Sequence, residues 1–353
     1  MSYVITDPQP APGPGPGSDR RLLTVEELEI VFHTTDGTVR AVNNVSFAID
    51  RGDVFAVVGE SGSGKSVTAM SILGLLPKPP AEVVGGRILW QGENLLEATR
   101  ERMRRVRGGE IAMIFQDPLT ALNPVHSVGR QVAEMVRIHR GMNAKAANAH
   151  AVAMLDLVGI PQAARRARMY PHEFSGGMRQ RAMIAMAISC RPSLLIADEP
   201  TTALDVTVQA QVLDVLIGIK DEIDSAIMLI THDLGVVAGL ADNVMVMYAG
   251  RGVEEGTVDE VYDRSSHPYT IGLMDSVPVL GGDDEPLRPI GGQPPSMINL
   301  PSGCSFHPRC RFVHADGLCA TEVPALLQVG ATAHRSACHY SAEVAELRQK
   351  ERS

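Results

Sequence analysis

The sequence predicts an α/β fold with four parts: an antiparallel β subdomain, a core with a parallel sheet, a helical subdomain, and a small cysteine-containing extension at the C-terminus. The core is indicated by continuous apolar runs such as VFAVV, which are typical of strands buried on both faces. The extension is indicated by a change in composition. Beyond about Pro268 the chain is rich in Pro, Gly and Cys and shows little periodicity.

The bulk composition fits an ordinary soluble protein. The 353 residues are enough for two domains, with 44% hydrophobic and 21% charged residues. A net charge of −9 argues against a large nucleic-acid footprint, so no nucleic-acid partner is expected. No apolar run approaches the roughly 20 residues needed to cross a bilayer. The N-terminus also lacks the apolar segment of a secretory signal, so a cytoplasmic location is expected.

The order of elements follows from the apolar patterns. The runs LLTVEELEIVF, AVNNVSFAI and VFAVVG predict the first strands, and KSVTAMSILGLL predicts a helix. Residues 128–139 and 146–158 have helical spacing, and SLLIADEP and AIMLITHD predict further buried strands. The expected divisions are a disordered lead at 1–21, a main domain at 22–267 with its helical subdomain at about 117–190, an extension at 268–340, and a tail at 341–353.

A phosphate-binding loop follows the third predicted strand. The segment GESGSGKS, Gly59 to Ser66, matches GxxxxGK[ST] and opens a helix, as that motif requires. Its glycines allow backbone N–H groups to wrap a phosphate at a helix N-terminus. Lys65 is expected to bridge the β- and γ-phosphates, and Ser66 to ligate Mg²⁺. The predicted ATP-binding residues here are Gly59, Ser61, Gly62, Ser63, Gly64, Lys65, Ser66 and Val67.

Two adjacent acids end the predicted strand LLIAD. Asp198 is expected to hold Mg²⁺ through water, and Glu199 to orient and activate the attacking water. Adjacent acids after a strand also serve as helix N-caps. The phosphate loop earlier in the chain favours the catalytic interpretation.

The segment FSGGMRQR, residues 174–181, lies between these two motifs, and with it the chain resembles the ATP-binding cassette family over about residues 22–340. The family motif LSGGQ is matched at Ser175, Gly176 and Gly177, whereas Phe174 and Met178 depart from it. The resemblance implies an ABC-type phosphate-loop NTPase core. It also implies that these three residues bind the γ-phosphate of an ATP held by another subunit, since a Ser hydroxyl and Gly N–H groups at a helix start form an anion site.

Other family positions match as well. The resemblance implies that Gln116 in FQDP reaches the Mg²⁺ and the attacking water, and that His232 in ITHD contacts the γ-phosphate. It places Asp205 of TTALD at a dimer interface and Phe32 against adenine. Catalytic roles are therefore expected for Glu199, His232 and Gln116.

Three features resemble the oligopeptide/dipeptide importer branch: the form FQDPLTALNPVHSVGRQ, the Met in FSGGMRQR, and HPYTIGLMDSVPVLG followed by a cysteine-containing tail. This implies an ATPase that energises peptide import from the cytoplasmic face of the cell membrane. The implied partners are two transmembrane permease subunits, a second and related ABC ATPase arranged head to tail, and, indirectly, an extracytoplasmic solute-binding protein.

Two alternatives stay open. The same branch includes importers of nickel and other small solutes. A soluble cassette ATPase acting on nucleic acid or ribosomes would predict two cassettes in one chain or a long coiled-coil insertion. The sequence shows one phosphate loop, one signature motif and no heptad run.

Four of the five cysteines lie near the C-terminus, at Cys304, Cys310, Cys319 and Cys338. Disulfides are not expected in the cytoplasm. Four thiolates suit Zn²⁺, although zinc sites usually have closely spaced Cys pairs, and they also suit a [4Fe–4S] cluster. The resembling importer tails carry such a pattern, and in some members it holds a cluster. The resemblance therefore implies a [4Fe–4S] cluster at these four cysteines, with zinc or unligated thiols as the alternatives. A bound metal is expected to cross-link a segment poor in apolar residues.

Overall fold

The computed structural model describes residues 20–202, 205–276 and 289–351, and it has the α/β architecture predicted from the sequence. The predicted disordered lead falls almost entirely on residues 1–19, outside the described part. The strands are β1 Arg21–Thr34, β2 Gly37–Asp50, β3 Val54–Val58, β4 Ala81–Trp90, β5 Glu93–Asn94, β6 Ile111–Ile114, β7 Leu194–Asp198, β8 Ala226–Thr231, β9 Asn243–Tyr248, β10 Arg251–Thr257, β11 Leu327–Gln328 and β12 Arg335–Ser336.

Helices cover the faces of the sheets and form the middle of the chain. They are α1 Lys65–Ile72, α2 Arg100–Arg105, α3 Pro118–Ala121, α4 Val128–Arg140, α5 Ala144–Leu157, α6 Ala163–Arg166, α7 Gly176–Ile188, α8 Val206–Ile223, α9 Leu234–Leu240, α10 Val258–Asp263, α11 Pro268–Asp275, α12 Leu318–Thr321 and α13 Ser341–Glu351. Helices α4 and α5 lie within two residues of the predicted ranges. Among the described helices, none has both the length and the apolar character that a membrane crossing requires.

The smaller sheet is antiparallel, with strand order β2-β1-β4-β5. One of its faces is apolar and packs against α1 and the larger sheet in a shared core. Phe47 of β2 stacks on Phe55 of β3 with ring centroids 5.1 Å apart, which ties the two sheets together.

The larger sheet has the order β11-β12-β10-β9-β3-β8-β7-β6. Strands β9, β3, β8, β7 and β6 are parallel, and most of their residues are buried, as the continuous apolar runs predict. Because β3, β8 and β7 are neighbours, the segments that follow their carboxyl ends meet at one edge of the sheet. That edge receives the phosphate loop, the acidic pair and His232.

The C-terminal extension is joined to the main domain through this larger sheet. Its strand β12 pairs with β10 at Glu254 and Glu255, and β11 adds a further strand beyond it. The carboxylate of Glu254 is fully buried and lies 2.8 Å from His334 Nε2 of the extension. The extension is therefore packed against the main domain by backbone pairing as well as by side chains.

Candidate functional site

The phosphate loop is folded tightly against the larger sheet. Gly59 has φ +150, and a Cβ there would lie 2.2 Å from the carbonyl oxygen of Met247. Gly64 has φ +102, and its Cβ would lie 2.3 Å from the carbonyl oxygen of Ala41. Both positions therefore require glycine, for backbone conformation and for space. Gly64 precedes α1, so the loop ends at a helix N-terminus, where anions bind.

Lys65 lies at the base of this loop, with its side chain buried. Its Nζ donates hydrogen bonds to the carbonyl oxygens of Gly59 and Glu60, at 2.8 and 3.0 Å. Burial lowers the pKa of Lys65, while the nearby carboxylates of Glu199 and Asp198 act in the opposite direction. The pKa of Lys65 is thus lowered overall, because the carboxylates only partly offset burial.

Ser66 of α1 and Asp198 at the end of β7 come together, as the sequence predicts. The Ser66 hydroxyl donates to Asp198 Oδ1 at 2.9 Å. Burial raises the pKa of Asp198, and the hydrogen bond from Ser66 and the charge of Lys65 partly offset that effect. A hydroxyl and a carboxylate oxygen beside a phosphate loop are ligands that Mg²⁺ accepts.

Glu199 is the centre of the second group. Its Oε2 accepts hydrogen bonds from Gln116 Nε2 and from the Thr202 hydroxyl, both at 2.9 Å, and its Oε1 lies 3.5 Å from His232 Nδ1. The carboxylate is mostly buried, whereas the His232 side chain is 63% exposed. Gln116 and His232 therefore each contact Glu199, so the structure groups the three residues expected to be catalytic around one carboxylate.

The signature segment forms the start of α7. Ser175 is its N-cap, and the Ser175 Oγ accepts a hydrogen bond from the Met178 N–H at 3.3 Å. A Cβ on Gly177 would lie 2.7 Å from Val208 of α8, so glycine is needed there for packing. A Cβ on Gly176 would meet nothing within 4 Å, so the helix start is open on that side. The Met178 N–H is thus used by the cap, and the N–H groups of Gly176 and Gly177 are the ones this helix start could offer to an anion.

The remaining two predicted nucleotide residues lie apart from these groups. Asp205 is exposed and caps α8 by accepting a hydrogen bond from the Val208 N–H at 3.0 Å. Phe32 lies in β1, half-buried, and packs against the core shared by the two sheets. Their expected roles at a dimer interface and against adenine stay predictions.

The four C-terminal cysteines converge on one small cavity, whose wall also includes Phe306, His307 and Tyr340. All four are free thiols. The pKa of Cys310 is raised to about 11 and that of Cys338 to about 12, mainly by burial and also by the neighbouring cysteines. The thiols therefore lie close enough to influence each other, and a metal would have to displace their protons.

Within residues 20–202, 205–276 and 289–351, no group of three or more His, Cys, Asp or Glu side chains is arranged to hold a metal ion. The described residues thus give no support to the predicted [4Fe–4S] cluster or to the alternative zinc site.

Several contacts at the site were not predicted from the sequence. Thr202 holds Glu199, and Gln180 of α7 donates from its amide to the Pro200 carbonyl oxygen at 2.6 Å. The extension also reaches the phosphate loop, where Arg309 contacts the carboxylate of Glu60. The two threonines that closely follow the acidic pair in sequence could have indicated a hydroxyl near Glu199. No local sequence pattern links Arg309 to the distant phosphate loop.

Two family models match the chain. Residues 42–202 match the ABC transporter family, and residues 253–319 match the oligopeptide/dipeptide transporter C-terminal region. The first range includes the phosphate loop, the signature segment and the acidic pair. The second includes three of the four C-terminal cysteines, up to Cys319.

Curated relatives are similar over most of the chain. The oligopeptide transport ATP-binding protein OppD of Haemophilus influenzae is 53% identical over 291 residues, which cover 82% of this chain and 90% of that protein. The dipeptide transport ATP-binding protein DppD of Bacillus subtilis is 52% identical over 290 residues, covering 82% and 87%.

Solved structures share the fold. One is the ATP-binding cassette MJ0796 in a dimeric post-hydrolysis state bound to ADP and Pi. It has a TM-score of 0.61 at 22% identity, and the match covers 67% of this chain and 99% of the MJ0796 chain. The cbiO1 protein of Clostridium perfringens, part of the ABC transporter complex cbiONQ, has a TM-score of 0.58 at 29% identity. The match covers 69% of this chain and 91% of the cbiO1 chain.

Proposed function

The chain belongs to the ATP-binding subunits of ABC transporters, in the oligopeptide/dipeptide branch, and from this we propose that its cargo is a peptide. It is an ATPase, and its part in the transporter is to couple ATP hydrolysis to import. The observation that carries the proposal is the match of residues 253–319 to the transporter-specific C-terminal region, which is additional to the cassette itself.

Cargo identity is tested on the intact complex. The transporter would be purified with its membrane subunits and solute-binding protein, and bound cargo identified by mass spectrometry. ATPase stimulation would then be compared for a dipeptide, an oligopeptide and Ni²⁺. Stimulation by a peptide supports the proposal. Stimulation by Ni²⁺ alone, or recovery of the protein with ribosomes instead of membranes, contradicts it.

The chemistry proposed for the site follows its contacts. Lys65 and the N–H groups of the phosphate loop hold the β- and γ-phosphates, while Ser66 and Asp198 supply ligands to Mg²⁺. Glu199 polarises the attacking water. Hydrogen bonds from Gln116 and Thr202 hold the Glu199 carboxylate in place. Mg²⁺, when bound, neutralises charge that develops on the phosphates.

The proposed assembly is a head-to-tail dimer of cassettes on two permease subunits. The start of α7 has the groups of an anion site. The contacts of Ser175 and Gly177 are with α7 itself and with α8, and not with the phosphate loop of the same chain. We infer that this segment completes the nucleotide site of a second, related ATPase. Such an assembly places the chain peripherally at the cytoplasmic face of the membrane.

The proposed permease contact is a groove in the helical middle of the chain, lined by Pro124, Val125, Arg168, Met169, Tyr170, His172 and Glu173. Val125 and Tyr170 are exposed by 71% and 43%, although both are apolar or aromatic. The groove lies between the segment that follows Gln116 and the segment that precedes Ser175. A permease segment bound in this groove would contact both the segment that follows Gln116 and the segment that precedes Ser175.

A [4Fe–4S] cluster is proposed for the cysteine cavity. The support is chemical, since four free thiols line one cavity in a segment with few apolar residues. When bound, the cluster would supply cross-linking of the extension. Cys304, Cys310, Cys319 and Cys338 would hold it.

A further inference from the structure

The extension contacts the phosphate loop through one arginine. Arg309 Nη1 and Nη2 donate to the two carboxylate oxygens of Glu60, at 2.7 and 3.0 Å. The Arg309 side chain is only 5% exposed, so the pair is shielded from solvent on the arginine side. A two-point, shielded arginine–carboxylate contact fixes geometry as well as charge.

Arg309 is itself held in place by its surroundings. Its Nε donates to the Gly291 carbonyl oxygen at 2.9 Å, and its Nη1 also lies 3.3 Å from the Tyr248 hydroxyl. The guanidinium lies near the rings of Tyr248 and Phe306, with centroid distances of 5.8 and 5.9 Å. These contacts leave the side chain little freedom, so its position follows the position of the extension.

A second residue beyond Pro268 contacts the same loop residue. The hydroxyl of Tyr269, in α11, accepts a hydrogen bond from the Glu60 N–H at 2.8 Å. Tyr269 is fully buried and packs with Tyr248 and Phe306, with ring centroids 4.5 and 5.4 Å away. Both the backbone N–H and the side chain of Glu60 are therefore bound by residues outside the parallel core.

The third polar group of Glu60, its backbone carbonyl, faces Lys65. Its carbonyl oxygen accepts from Lys65 Nζ at 3.0 Å and from the Ser63 N–H at 3.3 Å. One loop residue thus connects the extension to the ammonium and to the turn of the phosphate loop. Movement of Glu60 would change where Lys65 and the loop N–H groups point.

We propose that the C-terminal extension clamps the phosphate loop, with Arg309 as a positioning residue that acts through Glu60 on Lys65. Clamping holds the loop in its phosphate-binding shape before ATP arrives, which favours binding because less ordering is needed. Arg309 touches neither phosphate nor water in this role. The clamp therefore sets ATP affinity more than the rate of the chemical step.

The clamp is continuous with the cysteine cavity. Arg309 directly precedes Cys310, and Phe306, which lies below the guanidinium, is part of the cavity wall. Backbone hydrogen bonds link Cys304 to His307 and His307 to Cys310 in one compact turn. Whatever fixes these cysteines also fixes Arg309, although the clamp itself does not depend on whether a metal is bound.

The test uses the full-length chain and a fluorescent ATP analogue with Mg²⁺. Arg309→Met is expected to weaken nucleotide affinity about tenfold, which corresponds to about 1.4 kcal/mol. In the transporter complex, kcat at saturating ATP should stay within about twofold while KM rises, as expected for loss of an interaction that acts on binding. Arg309→Lys should restore part of the affinity, because it keeps the charge and loses the two-point contact.

A double-mutant cycle separates the clamp from general damage. Glu60→Gln should weaken affinity, and adding Arg309→Met to it should cost little more, because both changes break one contact. Arg311→Met is the matched control. Arg311 lies in the same segment but pairs with Asp275, so nucleotide affinity should not change.

Tyr269→Phe provides a second route if Arg309→Met does not fold, since it removes only the hydroxyl that binds the Glu60 N–H. A several-fold loss of affinity is expected, with an unchanged unfolding temperature in the absence of nucleotide. Wild-type affinity in the folded Arg309→Met or Tyr269→Phe protein would overturn the proposal. So would additive losses in the cycle, or an equal loss in Arg311→Met.

Discussion

Replacing Glu199 by Gln gives the sharpest test of the proposed chemistry. The amide has the shape of the carboxyl group and keeps an oxygen that can accept from Gln116 or from Thr202, which now bind the carboxylate at 2.9 Å. What it loses is the negative charge and the ability to take a proton from water. Turnover should fall by about 10²–10⁴-fold, the usual contribution of a general base.

Nucleotide binding should survive this change. The charge of Glu199 is one of the causes that raise the pKa of Asp198, after burial, so its removal makes Asp198 ionise more readily. The proposed Mg²⁺ ligand is thereby kept in its charged form. Glu199 also favours the charged form of Lys65, but Asp198 and Glu60 remain to do so. ATP affinity is expected to stay within a few-fold of wild type.

The assay is phosphate release at saturating MgATP beside equilibrium binding of the nucleotide. Thr202→Val, which removes one hydrogen bond to the carboxylate but leaves the base, should cost only several-fold in turnover. Glu97→Gln, a surface carboxylate that accepts from Asn94, is the matched control and should have no effect. Wild-type turnover in Glu199→Gln, with binding intact, would refute the assignment of Glu199 as the base.

Three further outcomes are expected. Gln116→Ala should reduce cargo stimulation of the ATPase more than MgATP affinity in the reconstituted transporter; equal losses would mean that Gln116 acts only at the metal. Anaerobically purified protein should be brown with roughly four irons per chain, and Cys310→Ser should bleach it; colourless protein with one zinc would contradict the cluster. Burial raises the pKa of Glu110, but hydrogen bonds from Arg102 and Trp90 outweigh burial and hold this pKa below 4.5. The stability that the Glu110 carboxylate contributes is therefore present above pH 4.5 and is lost as the pH falls through the lowered pKa. Fluorescence of Trp90 during acid titration should show this transition in wild type and not in Glu110→Gln.

The local parts of the site were predictable from the sequence because each motif combines a strand end with a turn or a helix start. The segment Gly59 to Ser66 directly follows β3, and Asp198 ends β7. A short stretch of sequence was therefore enough to predict each motif and the element beside it. That Ser66 and Asp198 meet follows from the order of parallel strands, since carboxyl ends share one edge. Helix ends were predicted less well, by up to two residues in α5, because terminal turns are weakly specified.

The contacts of the extension were not predictable in the same way. Arg309 and Glu60 are 249 residues apart, and neither lies in a periodic apolar pattern. Strands β11 and β12 have two residues each, too few for an alternating signal. Sequence showed that four cysteines cluster along the chain, whereas their convergence on one cavity depends on packing against Phe306 and on the turn from Cys304 to Cys310.

The phosphate loop receives restraints from two directions, and this has a consequence for coupling. On one side Ser66 hydrogen-bonds to Asp198, whose chain neighbour Glu199 accepts from Gln116. On the other side Glu60 is bound by Arg309 and by the helix that carries Tyr269. A signal through Gln116 and the state of the extension would therefore reach the phosphate loop at different residues, Ser66 and Glu60. Because the two routes share no contact, Gln116→Ala and Arg309→Met should combine additively in ATP affinity.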